Sequence, residues 1–178
     1  MDGGSFFGLD RASGRRTSPE VLKSRLQRCG VSRALVSSLT ALQYDLKTGN
    51  DECLAVCRHD GFFLPQAVAN PAAFHRARDP LAEWKAAGFR AVAVFPHWPG
   101  NGGDLDDLSL RHLAEDAAEA GLPLFIGLEQ RTDFAKVARN IAPAGGQVAL
   151  RWMRGSGYGA LSEAMAVAES CPNVHLDV

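Results

Sequence analysis

A chain of 178 residues, 46% hydrophobic and 22% charged, has ordinary globular composition and the length of one domain. Nineteen Lys and Arg against twenty Asp and Glu, a formal net charge of -1, exclude the broad basic surface that nucleic acid or an anionic membrane requires, and no apolar run approaches the ~18–20 residues that span a bilayer. Cys29, Cys53, Cys57 and Cys171 match neither a zinc-finger spacing nor a Cys-x-x-Cys pair; with no signal peptide, the chain is expected to be cytoplasmic with reduced thiols. Cys53 and Cys57 stand one helical turn apart, a spacing open to a soft metal but read here as helix packing.

The N-terminal MDGGSFFGLD offers a first strand over Asp2–Phe7. TSPEVLKSRLQRCG then reads as an amphipathic helix: Thr17 and Glu20 have capping-box spacing, Pro19 lies in the first turn, and Leu22, Leu26 and Cys29 share a face. A strand follows at Ala34–Ser38, then the helix of NDECLAVCRHDG and a strand at Phe62–Asn70. DPLAEWKAAG carries Asp79 as a cap, Pro80 at the first helical position and Gly88 as the stop, and leads into the strand Ala91–Phe95. DDLSLRHLAEDAAEAG ends at Gly121 before the strand Leu124–Leu128; TDFAKVARNIAPAGG precedes Gln147–Trp152, and GALSEAMAVAES precedes Asn173–Val178. Strands alternating with helices of this length predict an α/β protein with a parallel sheet. The strand count is seven, one short of a closed (β/α)8 barrel, with a doubly wound sheet as the alternative. Residues 1–178 read as one domain, incomplete at both ends. Its edges at strands one and seven would be open to pairing in a homodimer.

The order and wording of CGVSRALVSS, TGND, FFLPQAVANP, GFRAVAVFPHW, AGLPLFIGLEQ and CPNVHLDV resemble the amidohydrolase-related family of the metal-dependent hydrolase superfamily, whose members are distorted TIM barrels. The resemblance implies a first strand of the form Asp-x-His-x-His, whose histidines ligate a metal in the barrel mouth. The corresponding residues here are Asp2, Gly4 and Phe6, so both imidazoles are absent. Gly127 stands where the fifth strand of active members ends in a ligand histidine, no histidine ends the sixth strand in VALRWMRGSG, and the strand preceding the family's catalytic aspartate is not present. The resemblance is to a subgroup that lacks the first-strand histidines and keeps Leu-Glu-Gln at the fifth strand, as in Leu128-Glu129-Gln130.

In a parallel barrel the functional face lies at the C-terminal strand ends. Strand alternation groups Ala91, Ala93, Phe95 and His97; Phe125, Gly127 and Glu129; Ala149, Arg151 and Met153; and His175 with Asp177. The small and polar set taken as interior brings His97, Glu129, Arg151 and Asp177 to one mouth. His97 is the candidate general base, Glu129 and Asp177 its tuning carboxylates, and Arg151 a bidentate anchor for a carboxylate or phosphate. The structural alternative is a Glu129–Arg151 ion pair between neighbouring strands, with Asp177 capping a loop and His97 on a polar rim. Asn70, before Pro71, either closes an Asx-type turn or contacts a ligand. Gly155–Gly159 precedes a helix but lacks both the P-loop ending and the dinucleotide spacing. Trp98, followed by Pro99 and the glycines 100–103 region, is a rim aromatic able to cover a ligand.

Three functional readings follow. The first is an amidohydrolase-like protein whose metal ligands are lost, either inactive or a metal-free binder using acid–base chemistry on a small molecule, with no cofactor. The second keeps a metal-dependent hydrolase or decarboxylase acting on a small carboxylate or amide, with a divalent ion such as zinc held by Asp2, His97 and Asp177. The third is a flavodoxin-like nucleotide-binding module using the Gly155–Gly159 loop.

Overall fold

The structure, a computed structural model, describes residues 2–73, 80–98, 104–129, 133–152 and 158–177. Its contacts divide the chain into two units, Met1–Val68 with Trp84–Ala91, and Ala69–Glu83 with Val92–Val178.

The first unit holds β1 (Asp2–Leu9), β2 (Arg16–Thr17), α1 (Pro19–Arg28), β3 (Ala34–Ser38), α2 (Leu39–Gln43), α3 (Leu46–Arg58) and β4 (Phe63–Val68). Its strands run in the order β2-β1-β3-β4. β1 and β3 pair in parallel with Phe6 opposite Ser37, and β3 and β4 with Val36 opposite Pro65. β2 is an antiparallel rung on β1, Gly8 opposite Thr17, and brings the strands among the described residues to eight instead of the seven read from the sequence; the seven parallel strands are those expected. This rung also moves the start of α1. Thr17 is drawn into strand pairing, so the cap is Ser18, whose hydroxyl accepts from the Val21 amide, with Pro19 next. The capping box read from Thr17 and Glu20 therefore does not form: with Ser18 as the cap, the third position is Val21, which has no group to bond back.

One face of this sheet packs Phe7, Ala34, Val36, Phe63 and Ala67 against Leu22 of α1 and Cys53 of α3. The Cys53 thiol lies 3.1 Å from the Val36 carbonyl. Its hydrogen bond to Cys57, together with burial, pushes the Cys57 thiol above its ordinary value, which makes Cys57 a poor thiolate and a poor soft-metal ligand. Helix packing accounts for the pair.

Asp10 closes the turn between β1 and β2. Its carboxylate accepts from the Ala12 and Ser13 amides, the Ser13 hydroxyl at 2.5 Å and Gln43 Nε2 at 3.0 Å. The Ser13 hydroxyl first, then Gln43 and the Ala12 amide, lower its pKa from 3.8 to about 2. A depressed carboxylate pKa contributes stability that is complete above the unfolded value and is lost as pH falls through the folded one. The turn is therefore expected to hold at about pH 4 and to open only as pH approaches about 2. An NMR titration of the Ala12 and Ser13 amides checks this, and a midpoint at the ordinary 3.8 would contradict it.

The second unit takes β5 (Ala91–Val94) from Val92 onward, α5 (Leu108–Ala120), β6 (Leu124–Leu128), the single turn α6 (Asp133–Lys136), a π-helical turn at Val137–Ile141, β7 (Val148–Trp152), α7 (Tyr158–Ser170) and β8 (Val174–Asp177). α4 (Pro80–Ala87) precedes β5 and ends at Gly88, where φ is 108°. The strands follow chain order, β5-β6-β7-β8, and pair in parallel throughout. α5 stops at Gly121, in the left-handed region at φ 64°, whose amide returns to Ala117 and Ala118. Leu110 and Leu113 of α5 and Leu124, Ile126 and Leu128 of β6 are fully buried.

In neither unit does the strand order reverse, so the described residues contain no switch point of the kind a doubly wound sheet uses to bind ligands. No helix among the described residues is long and apolar enough to cross a membrane.

Candidate active site

The charged candidates collect in the second unit, at the C-terminal ends of its strands. Leu124 and Val148 face α5, lining a small cavity with Ala114 and Ala117. Alternation then turns Phe125 and Gly127, and Ala149 and Arg151, to the opposite face. The register sets Gly127, Arg151 and Asp177 side by side across β6, β7 and β8.

Arg151 meets Asp177 there. Its Nε and Nη2 lie 2.7 and 2.6 Å from one carboxylate oxygen, Oδ2, and the two side chains are 21% and 17% exposed. Asp177 is thus an ion-pair partner and not a loop cap. The ion pair anticipated between Glu129 and Arg151 is replaced by this one, because β8 brings a carboxylate into direct register with the guanidinium.

His97 follows β5 in a turn closed by the Trp98 amide on the Phe95 carbonyl at 3.0 Å. Its Nε2 lies 2.8 Å from Asp133 Oδ2; His97 is 20% exposed and Asp133 0%. The same carboxylate oxygen accepts from the Glu129 amide at 3.3 Å. One buried acid at the start of α6 thereby ties the end of β6 to the imidazole after β5. A carboxylate on one ring nitrogen sets the tautomer and presents the other nitrogen for proton transfer. Asp133 was not singled out in the sequence. It stands 36 positions from His97 in an unremarkable Thr-Asp-Phe helix start, and only its burial distinguishes it.

The same segment also holds the chain that precedes α5. Lys136 bonds to Asp104 and lies 3.5 Å from Asp106, and Asn140 bonds to the Leu105 carbonyl and to Asp106. The Lys136 ammonium holds the Asp104 carboxyl below its ordinary range. Asn70 closes its own turn, its side-chain oxygen accepting from the Ala72 amide at 3.0 Å, beside β5 through the Ala69 amide on the Ala93 carbonyl. Asp79, Gly100–Gly103, Gln130, Met153 and Gly155–Gly157 lie outside the described residues, as does the side chain of Asp2.

Parallel strands in chain order, alternating with helices and carrying polar side chains at their C-terminal ends, define a TIM-barrel-like α/β protein. Residues 18–178 match the family model described as amidohydrolase, and the chain belongs to that family. Among solved structures it is similar to a putative 2-pyrone-4,6-dicarboxylic acid hydrolase from Pseudomonas putida, at 19% identity and a TM-score of 0.68 over 98% of this chain and 66% of that one. It is also similar to an uncharacterised TIM-barrel protein from Bordetella bronchiseptica, at 15% identity and a TM-score of 0.67 over 99% and 74%. A third is the manganese-bound 5-carboxyvanillate decarboxylase of Novosphingobium aromaticivorans, at 10% identity and a TM-score of 0.58 over 84% and 64%. The chain thus spans about two thirds of the length of the hydrolase and the decarboxylase. No curated protein matches it by sequence.

Among the described residues no three His, Cys, Asp or Glu side chains come together as a possible metal site. Gly4 and Phe6 on β1 and Gly127 on β6 carry no ligand atom. His97 with Asp133 makes two ligands where a zinc or manganese centre needs three or four.

Proposed function

We propose that this protein binds and acts on a small carboxylate-bearing molecule without a metal, at the strand ends of the second unit. The observation that carries the reading is the His97–Asp133 contact, 2.8 Å long, with the acid fully buried. In this reading His97 is the general base or acid through the ring nitrogen turned from Asp133, and Asp133 is its positioning residue. Arg151, held on one edge by Asp177, offers its other edge to the substrate carboxylate. In this reading Glu129, after β6, and Asn70, beside β5, are further contacts for the ligand. A small carboxylate also accords with the acids that the names of the hydrolase and the decarboxylase specify, and those two fold relatives favour one second reading, a metal-dependent hydrolase or decarboxylase.

The test is the metal content of never-chelated protein by elemental analysis, followed by calorimetric titration with zinc and with manganese. The expected result is substoichiometric metal and no tight site. Stoichiometric metal that is lost in His97→Ala or Asp177→Ala would establish the second reading.

A further inference from the structure

Two cavities of the first unit differ in how their charges are answered. The larger, about 570 Å³, lies against α1 and α3 and is lined by Lys23 together with Glu20 and Asp60. Lys23 Nζ is 2.8 Å from Asp60 Oδ2, so that cation is matched within the cavity itself.

The smaller, about 220 Å³, is lined by Leu54 and Arg58 of α3, Leu64 and Pro65 of β4, Ala87 at the end of α4 and Arg90 before β5. No aspartate or glutamate lines it. Neither the Arg58 nor the Arg90 side chain makes a hydrogen bond or an ion pair among the described residues. Both residues are exposed, so the cavity is open to solvent on their side.

Local structure brings the two arginines to the start of β4. α3 packs on the sheet through Cys53, and its last turn ends at Arg58. After α4 the chain turns at Gly88, and the Arg90 amide donates to the Pro65 carbonyl at 2.9 Å. Arg58 also opposes the negative end of the α3 dipole, a structural task. The backbone bond that seats Arg90 needs no guanidinium, and its charge is left over. Two cations lining one small apolar cavity repel each other, and a shared anion relieves them.

We propose that this cavity binds a small organic oxyanion, a carboxylate or a phosphate ester, with its head between Arg58 and Arg90 and its apolar body on Leu54, Leu64 and Ala87. The volume lies below the range of about 300–1,000 Å³ that holds drug-sized ligands, so the body is one ring or a short chain. A metal cation is repelled by both arginines. The inference uses residues of the first unit alone and is independent of His97 and Arg151.

The test is an NMR titration of the full chain with benzoate and with phenyl phosphate, and with benzamide as the neutral probe, read at the Gly88 and Arg90 amides. Wild-type protein is expected to show saturable shifts with at least one anion, and binding of benzamide at least about tenfold weaker. Arg58→Gln and Arg90→Gln are each expected to weaken the anion at least about tenfold while keeping Tm within about 2 °C, because both side chains are exposed. Arg58→Lys and Arg90→Lys, which keep the charge and lose the planar fork, are expected to weaken it severalfold and carry the test if a glutamine variant does not fold. Arg151→Gln should leave these shifts unchanged, which separates this cavity from the carboxylate anchor proposed in the second unit. The proposal is overturned if neither anion shifts the two amides, if benzamide binds as well as the anions, if binding survives either substitution in folded protein, or if it disappears in folded Arg151→Gln.

Discussion

Gly49→Ala is expected to unfold the first unit or to cost it about 4 kcal/mol or more. Gly49 lies in α3 where that helix crosses α2, and a Cβ there would sit 1.9 Å from the Ala41 nitrogen, 2.3 Å from its Cα and 2.6 Å from its Cβ. Two of those three atoms are backbone, so no rotamer change relieves the clash. The helices themselves have little freedom to separate. Only Tyr44 and Asp45 lie between them, their amides both return to the Thr40 carbonyl at 3.0 and 2.9 Å, and the Asp45 carboxylate caps α3 on the Thr48 amide at 2.7 Å. Overpacking by one methylene costs about 1–3 kcal/mol when side chains can adjust; backbone against backbone lies beyond that range. Urea denaturation measures it, with Gly61→Ala as control, because a Cβ at that exposed glycine meets nothing within 4 Å. A Gly49→Ala loss no larger than the control's would mean that α2 and α3 do not cross this closely.

Asp133→Leu is expected to cost about 2–3 kcal/mol, the desolvation of donors left without their acceptor, and to release His97. From a fully buried position the carboxylate meets the His97 imidazole and accepts from the Glu129 amide. Asp133→Asn keeps an acceptor oxygen of the same shape and is expected to lose less than about 1.5 kcal/mol. Thermal denaturation of the pair of variants gives the energies. The ring-nitrogen NMR shifts of His97 report whether its tautomer is still held. Equal losses in Leu and Asn would assign the effect to packing rather than to hydrogen bonding. In the functional reading proposed above, either substitution should also weaken proton transfer more than ligand affinity, because Asp133 positions His97 and not the carboxylate-binding Arg151.

Much of the architecture was legible because it is written in local chemistry. Gly88 and Gly121 end helices where a left-handed residue is needed, and Pro19 and Pro80 open them. The seven apolar runs between them became the seven parallel strands. The eighth was missed because Arg16–Thr17 has no apolar pattern; what pairs it with β1 is the Asp10 turn, a set of contacts among side chains. The same pairing explains the misplaced cap of α1, since Thr17 has the right chemistry for a cap but is already engaged.

The site divides along the same line. Period-two alternation was enough to place His97, Glu129, Arg151 and Asp177 at strand ends. Partnership was not legible. Arg151 takes Asp177 because strand register sets the two side by side, and His97 takes Asp133 because α6 places a carboxylate 36 positions further along the chain against it. A sequence by itself determines which residues face one way along a strand and where helices start and stop, since both depend on neighbours a few positions apart. Which acid meets which base depends on register and on how loops return. For this chain only the tertiary structure decided that Asp133 is buried, and that Arg58 and Arg90 line one cavity.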